Sequence, residues 1–500
     1  MQLSTSSTDS AGTGDGSEPR PRGSRRRPIR RVLIWVLVVF QVLGLISAVE
    51  AIMSTRTAPG AIAWTLGLIA APVVAVPAYW VFGRSKFEGY LEARRAVQSE
   101  FDSLYDHVYS NMTAAAVEFD RPAPAWDALR GLSQTRLVGG NRVELLIDGD
   151  ATFDSILSGI RQAKDYVLVQ FYIVHDDGLG RRLKDAMIER AHAGVRVYFL
   201  YDEIGTDVGE EYLRQLEMAG VRFSAFNTTQ GARNKFQLNF RNHRKIVVVD
   251  GRTAWIGGHN VGDEYLGLDP EFSPWRDTHV RLDGPVAVQT QGVFAFDWLW
   301  AQRELLDLNW LPQAVPDSDV AAVMVATGPA DPLETAGMFF VHAINTARER
   351  VWITAPYFVP DDAIIKALML ATLRGVDVRI LVPGKADSLL PHLAAFYFME
   401  QLEKSKVHFY AFEPGFMHQK VMLVDNDVAS VGTHNFDNRS FRLNFEVAAV
   451  VYDRAFAEEV AAMFERDFAH SRRIHPEDYR DRSWNWRFGV RAARLFAPIL

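Results

Sequence analysis

The 500-residue chain contains no cysteine, which excludes disulfides, thiol nucleophiles and cysteine-ligated zinc. It also lacks a surplus of positive charge. The 54 Lys and Arg stand against 61 Asp and Glu, a net charge of -7, whereas proteins built to hold nucleic acid usually carry a net basic face. No nucleic-acid partner is expected on that ground. Apolar residues, at 48%, are plentiful enough for a folded protein. The length exceeds what one ordinary core fills, so two domains of similar size or one duplicated unit are expected.

The first 31 residues are Ser, Thr, Gly, Pro and Arg with little apolar content, and such a segment cannot bury enough surface to offset its chain entropy. Residues 1–31 are predicted to be a disordered basic tail. Residues 32–82 hold two apolar runs, "VLIWVLVVFQVLGLISAV" from Val32 and "APGAIAWTLGLIAAPVVAVPAYWVF" from Ala58. Each is long enough to cross a bilayer as a helix, and the first exceeds the apolar core of a cleaved signal peptide. Two transmembrane helices are therefore predicted. Arginines crowd ahead of the first run, Arg84, Lys86, Arg94 and Arg95 follow the second, and only Arg56 lies between. By the positive-inside rule both flanks face the cytoplasm. Residues 83–115 read as an amphipathic linker helix.

Beyond residue 110, strand-like apolar runs alternate with helical stretches, the pattern of an α/β fold. The two halves repeat each other in order. "YIVHDD" at Tyr172 answers to "YFVPDD" at Tyr357, and "GVRVYFL" at Gly194 to "GVDVRIL" at Gly375. "HRKIVVVDGRTAWIGGHN" at His243 then answers to "HQKVMLVDNDVASVGTHN" at His418. This predicts domains over 116–316 and 317–480 related by a pseudo-twofold axis, with an aromatic and basic interfacial segment over 481–500.

Side chains two apart on a strand share a face, so His243 projects with Lys245 and His418 with Lys420. The runs that follow are too continuously apolar for an exposed strand. Each meets a turn and returns, which carries Gly257 and Asn260 back toward the first His and Lys, and Gly432 and Asn435 toward the second. Small residues at Gly257, Gly258, Gly432 and Thr433 suit close approach of backbone to a phosphate. One such motif is the chance end of a strand; two at equivalent points of a repeat are not.

The doubled pattern His-x-Lys-x4-Asp-x6-Gly-Gly/Thr-x-Asn resembles the phospholipase D superfamily. "GGHNVGDEYLG", "WRDTHVRLDGP", "APYFVPDD" and "GTHNFDNRSFRLNFE", preceded by two apolar spans, are similar to bacterial cardiolipin synthases. The resemblance implies duplicated mixed-sheet domains behind a transmembrane hairpin, in a multi-pass protein of the bacterial inner membrane with cytoplasmic catalytic domains. It implies transfer of a phosphatidyl group between two phosphatidylglycerols, giving cardiolipin and glycerol through a phosphatidyl-histidine, without cofactor or metal. A related phosphatidyltransferase or hydrolase acting on another head group is the alternative. By analogy His243 is the nucleophile and His418 the acid and then base, Lys245, Lys420, Asn260, Asn435 and Thr433 hold phosphate oxygens, and Asp250 and Asp425 orient the histidines. Asp277, Arg439 and Glu446 receive no defined role, His259 and His434 read as packing residues, and the oligomeric state is left open.

Overall fold

The computed structural model describes residues 26–55, 57–83, 98–117, 123–226, 240–331 and 333–500. The chain divides after Tyr79 into two compact units. In the first, a helix runs over Arg26–Ser54, and its part Arg31–Ser54 is long and apolar enough to cross a membrane. Its opening turn lies in the stretch expected to be disordered, because arginine is a good helix former and extends a helix nucleated by the apolar run. Residues 1–25 of the predicted tail, Arg56, and residues 84–97 of the predicted linker helix lie outside the described residues.

The second apolar run is not one helix. Ala58–Ala70 and Pro72–Ala78 are separate helices, and Ala71 between them adopts φ -139 and ψ 58. Proline disfavours the helical conformation in the residue before it and offers no N–H to the turn behind, so Pro72 breaks the helix while Pro77 stays inside one. The one glutamine of the first run answers the break: Gln41 Nε2 donates to the Ile69 carbonyl at 3.3 Å. Gly44 lets the helices approach there, since a Cβ on it would lie 2.4 Å from the Leu68 oxygen.

The second unit is built on a mixed sheet of sixteen strands among the described residues. Its first half contributes β1 (Val138–Ile147), β2 (Tyr166–Phe171), β3 (Arg196–Asp202), β4 (Arg222–Phe226), β5 (Arg241–Asn242), β6 (Ile246–Val249), β7 (Thr253–Gly257), β8 (Trp275–Arg276) and β9 (Thr278–Asp283). The second contributes β10 (Val320–Thr327), β11 (Arg350–Thr354), β12 (Phe358–Val359), β13 (Asp377–Pro383), β14 (His408–Phe412), β15 (Phe416–Met417), β16 (Val421–Val424), β17 (Val428–Gly432), β18 (Phe436–Asp437), β19 (Asn444–Tyr452) and β20 (Ser471–Arg473). The sheet's order is β20-β14-β13-β11-β16-β17-β19-β10-β1-β9-β7-β6-β2-β3-β4, with β5 joined to β19, while β8 with β15 and β12 with β18 form separate two-stranded pairs. Read outward from the antiparallel pair β1 and β10, the halves match strand for strand. Each half carries three parallel strands, β2-β3-β4 and β11-β13-β14, and the second adds β20, antiparallel to β14, at its edge.

β6 and β16 are "IVVV" and "VMLV", buried throughout. Burying such side chains is worth about 1.5–3 kcal/mol each, so these strands are fixed rails for the residues that precede them. The halves also interlock. β5 pairs in parallel with the start of β19, and β15 pairs in parallel with β8. The two copies differ in length at two places. β4 ends 17 positions before His243 and β14 ends 6 positions before His418. Conversely, the helix ahead of β4, Glu210–Met218, has 9 residues, and its counterpart ahead of β14, Leu389–Glu403, has 15.

The C-terminal helix Trp484–Arg494 packs on Leu389–Glu403. Trp486 meets Phe396 with ring centroids 5.1 Å apart, and Arg494 lies 4.1 Å over Tyr397. Trp484 and Phe488 stack on each other and remain 73% and 60% exposed.

Candidate active site

His243 and His418 sit in the short links between β5 and β6 and between β15 and β16. Each is pinned by the other half of the repeat. The His243 amide donates to the Phe445 carbonyl at 2.9 Å, and the His418 amide to the Arg276 carbonyl at 2.8 Å. The imidazoles follow the same rule. His243 Nδ1 lies 2.9 Å from Glu446 Oε2, and His418 Nδ1 lies 2.8 Å from Asp277 Oδ2. A neutral imidazole in that contact donates through Nδ1–H and keeps its lone pair on Nε2.

Both carboxylates are fully buried and held rigidly. Glu446 accepts from Thr433 Oγ1 at 2.6 Å, Ser440 Oγ at 2.9 Å and Asn444 Nδ2 at 3.1 Å. Asp277 accepts from its neighbour's amide, Thr278 N, at 2.7 Å. An arginine secures the main chain of each. Arg244 donates to the Glu446 carbonyl and pairs with Asp297, while Arg276 donates to the Asp277 carbonyl and pairs with Asp467.

Lys245 and Lys420 are buried, and each Nζ donates back to the carbonyl of its own histidine, at 2.7 and 2.6 Å. Lys420 Nζ is also 3.0 Å from His418 Nε2. Burial pushes Lys245 down to about 7 and Lys420 to about 8. Burial, with the lysine charges beside them, also drives both imidazoles well below the usual histidine range. Burial alone would raise Asp277 and Glu446, but the surrounding histidines and lysines hold both below the ordinary carboxylate value. The site at neutral pH is thus two neutral imidazoles, two carboxylates and two lysines ready to be fixed as cations by an arriving anion. Tyr172 covers His243 at a centroid distance of 5.0 Å, and Trp275 covers His418 at 5.2 Å.

The other predicted residues divide. Asp250 and Asp425 do not reach the histidines. Strand geometry carries them to the far ends of β6 and β16, on the order of 15 Å from the lysines, where both adopt positive φ. Asp250 accepts main-chain amides from Lys164, Asp165 and Tyr166 at 2.8–2.9 Å, and Asp425 does the same for Arg348, Glu349 and Arg350. They lock turns, which corrects the expectation of an orienting role. Asp250→Ala is expected to lower unfolding free energy by about 2–4 kcal/mol while leaving kcat at 25 °C within twofold, measured by denaturant unfolding and turnover.

Thr433 spends its hydroxyl on Glu446, and Asn260 bridges the Ile173 amide and the Tyr265 hydroxyl at 3.2 and 2.9 Å. Asn435 differs, for its side-chain oxygen is buried without a hydrogen-bond partner among the described residues. The small residues allow close packing against the neighbouring strand. A Cβ on Gly257 would lie 2.4 Å from the Thr278 oxygen, and one on Gly432 2.4 Å from the Val447 oxygen. At Gly258, the position equivalent to Thr433, a Cβ would lie 2.0 Å from Asp277 Oδ1. His259 and His434 are buried packing residues, contacting His279 and Thr327. Asp277 and Glu446 were among the residues left without a role. The signal was present, since both stand at the same point of the repeat, at the entry to β9 and β19.

A family model described as cardiolipin synthase, PLD-like domain, matches residues 156–277 and 340–468, one stretch in each half. Cardiolipin synthase A of Pseudomonas fluorescens strain Pf-5 is 46% identical over 470 residues, covering 93% of this chain and 98% of that protein. The chain belongs to the cardiolipin synthase family. It is accordingly a phosphatidyltransferase of the phospholipase D type. Cardiolipin synthase A of Pseudomonas putida strain GB-1 is likewise 46% identical, with the same coverage. Among solved structures, phosphatidylserine synthase of Haemophilus influenzae superposes with a TM-score of 0.56 at 16% identity, covering 75% of this chain and all of that one. That likeness extends the family assignment to the fold alone.

Proposed function

We propose that this chain transfers a phosphatidyl group from one phosphatidylglycerol to another, giving cardiolipin and glycerol. The observation that carries the reading is the pair of histidines, each backed by a carboxylate of the opposite half, around two buried lysines. In the first step His243 Nε2 attacks phosphorus, the P–O bond to the glycerol headgroup breaks, and His418 delivers a proton to the leaving oxygen. In the second, a hydroxyl of the acceptor's headgroup gives its proton to His418, its oxygen attacks phosphorus, and the P–N bond breaks. One phosphodiester is consumed and one formed, so the transfer needs no activated nucleotide.

The assignment of nucleophile is favoured by an asymmetry. Lys420 engages His418 Nε2, whereas among the described residues the His243 ring is hydrogen-bonded only through Nδ1. The donor's phosphate, arriving between the lysines, draws Lys420 off His418 and raises that imidazole toward the protonated form that the leaving alcohol requires. Lys245, Lys420 and Asn435 hold the non-bridging oxygens, where a positioned donor is worth about 3–4 kcal/mol in the transition state.

The division into domains over 116–316 and 317–480 is supported by the strand-for-strand correspondence. The helix Arg31–Ser54 serves as one membrane crossing, with the broken run Ala58–Phe82 as its return, catalytic domains on the cytoplasmic side of a bacterial inner membrane and the exposed Trp484 and Phe488 at the lipid interface.

Purified protein in vesicles of phosphatidylglycerol alone is expected to form cardiolipin and glycerol in equal amounts. Glycerol without cardiolipin would identify a hydrolase, and neither product would refute the reading. In the same assay the apparent KM is expected to rise from pH 6 to pH 9. The lysine pKa values are lowered, so the protonated forms that bind phosphate are present below about 7 and lost as pH passes 8.

A further inference from the structure

In-line displacement places an entering and a leaving group on opposite sides of phosphorus. If His243 attacks from one side, the departing glycerol lies on the other, beside His418, and the acceptor's hydroxyl must come in where the first glycerol went out. The two groups are chemically the same, a glycerol ester of phosphate with a free vicinal diol. A single pocket on the His418 side can therefore serve both steps.

The structure holds a cavity of about 150 Å³ at the carboxyl ends of β11 and β13, with Tyr357, Asp387, His392, Arg472 and Arg482 among its walls. Ligands of open α/β sheets bind at such strand ends. The Tyr357 hydroxyl donates to Asp387 Oδ2. Asp387 is close enough for its charge to act on Lys420. The loop that carries it is tied to the His418 side of the site: Lys385 Nζ lies 5.2 Å over Phe272, which packs on Trp275 and Phe416, the two rings that flank His418. Phe358, on the cavity's wall, belongs to β12, which pairs with β18 directly after Asn435.

Beside His243, among the described residues, the equivalent loop lies closely against its tyrosine. There the Asp202 carboxylate accepts the Ile204 and Gly205 amides at 2.9 and 3.0 Å, and the Thr206 hydroxyl donates to the Tyr172 carbonyl at 3.1 Å. The loop is so closely laid on Tyr172 that a Cβ at Gly205 would lie 2.7 Å from its ring. In the second half, Tyr357 meets the corresponding loop through its hydroxyl, at Asp387, and both residues line the cavity. The cavity is floored by Ala395, Phe396 and Met399, from the very helix that is longer in the second half. The repeat has thus been altered on the side where an alcohol must come and go.

We propose that this cavity is a polyol pocket, occupied by the departing glycerol in the first step and by the acceptor's glycerol headgroup in the second, with Asp387 and Tyr357 binding its vicinal hydroxyls. The inference rests on the reaction proposed above and assigns the choice of alcohol to these two residues. A carboxylate that accepts from adjacent hydroxyls prefers a diol to a simple alcohol, because the second hydroxyl adds a hydrogen bond to a charged acceptor that an alcohol with one hydroxyl does not make.

The test uses the full chain in phosphatidylglycerol vesicles with equimolar radiolabelled glycerol and methanol, and reads labelled phosphatidylglycerol against phosphatidylmethanol. That ratio is set after the donor's headgroup has left, so any slowing of the first step cancels. The wild type is expected to favour glycerol at least tenfold, Asp387→Asn to reduce the ratio at least tenfold, and Tyr357→Phe to reduce it about threefold or more. A wild type without preference, or an Asp387→Asn ratio within twofold of wild type, overturns the pocket. If Asp387→Asn does not fold, Tyr357→Phe decides: an unchanged ratio overturns the pocket and a lowered one supports it. A wild type that makes no cardiolipin refutes the proposed reaction instead, whereas cardiolipin formation with an unaltered variant ratio removes only the pocket.

Discussion

Alanine in place of His243 or His418 is expected to lower cardiolipin formation by at least about 10⁴-fold, since groups that act as one catalytic unit fail together when either is removed. The two variants separate with a donor that needs no protonation on leaving, such as phosphatidyl-p-nitrophenol. His418→Ala still has its nucleophile, so it is expected to release nitrophenolate once and accumulate an acid-labile phosphohistidine. His243→Ala is expected to do neither. Phosphorus NMR of the denatured protein reads the adduct. An adduct in His243→Ala and none in His418→Ala would exchange the roles of the two residues, and near-normal turnover in either variant would refute a paired site altogether.

Asp277→Asn and Glu446→Gln are expected to lower kcat by about 10²–10⁴-fold with much smaller effects on KM, as when the carboxylate behind a catalytic imidazole is made neutral. The amide keeps the volume but can present its NH₂ to Nδ1, which favours the tautomer whose lone pair points away from phosphorus. Both carboxylates are fully buried, so truncation to alanine would in addition leave hydrogen-bond donors orphaned. For Glu446 these are Thr433, Ser440 and Asn444. Circular dichroism and unfolding midpoints distinguish the two effects. A Glu446→Gln enzyme with wild-type kcat would show that the His243 contact is structural only.

Much of this was legible in the chain. The repeated His-x-Lys runs predicted a duplicated α/β fold, and the buried aliphatics of β6 and β16 predicted the rails that present His243, Lys245, His418 and Lys420. Asp250 and Asp425 misled because they are close in sequence, yet a strand of four residues carries its two ends far apart. Asp277 was hidden for the opposite reason. Its histidine lies 141 positions away, and Glu446 lies 203 from its own, so only the interlocking of the halves brings them together. The second run was expected as one helix, and Pro72, which marks the break at Ala71, was the signal passed over. The cavity beside Tyr357 had no such signal, for it depends on how one loop meets one ring.

The contact between Gly258 and Asp277 bears on how such a site can change over generations. A threonine at 258 alone would strike the Asp277 carboxylate, and a glycine at 433 alone would strip Glu446 of its 2.6 Å donor. Glycine with aspartate and threonine with glutamate are matched sets, so neither position is free to drift without the other. Exchange at these four positions is therefore expected to be tolerated only by pairs, and the two halves of the chain hold different keys to the same lock.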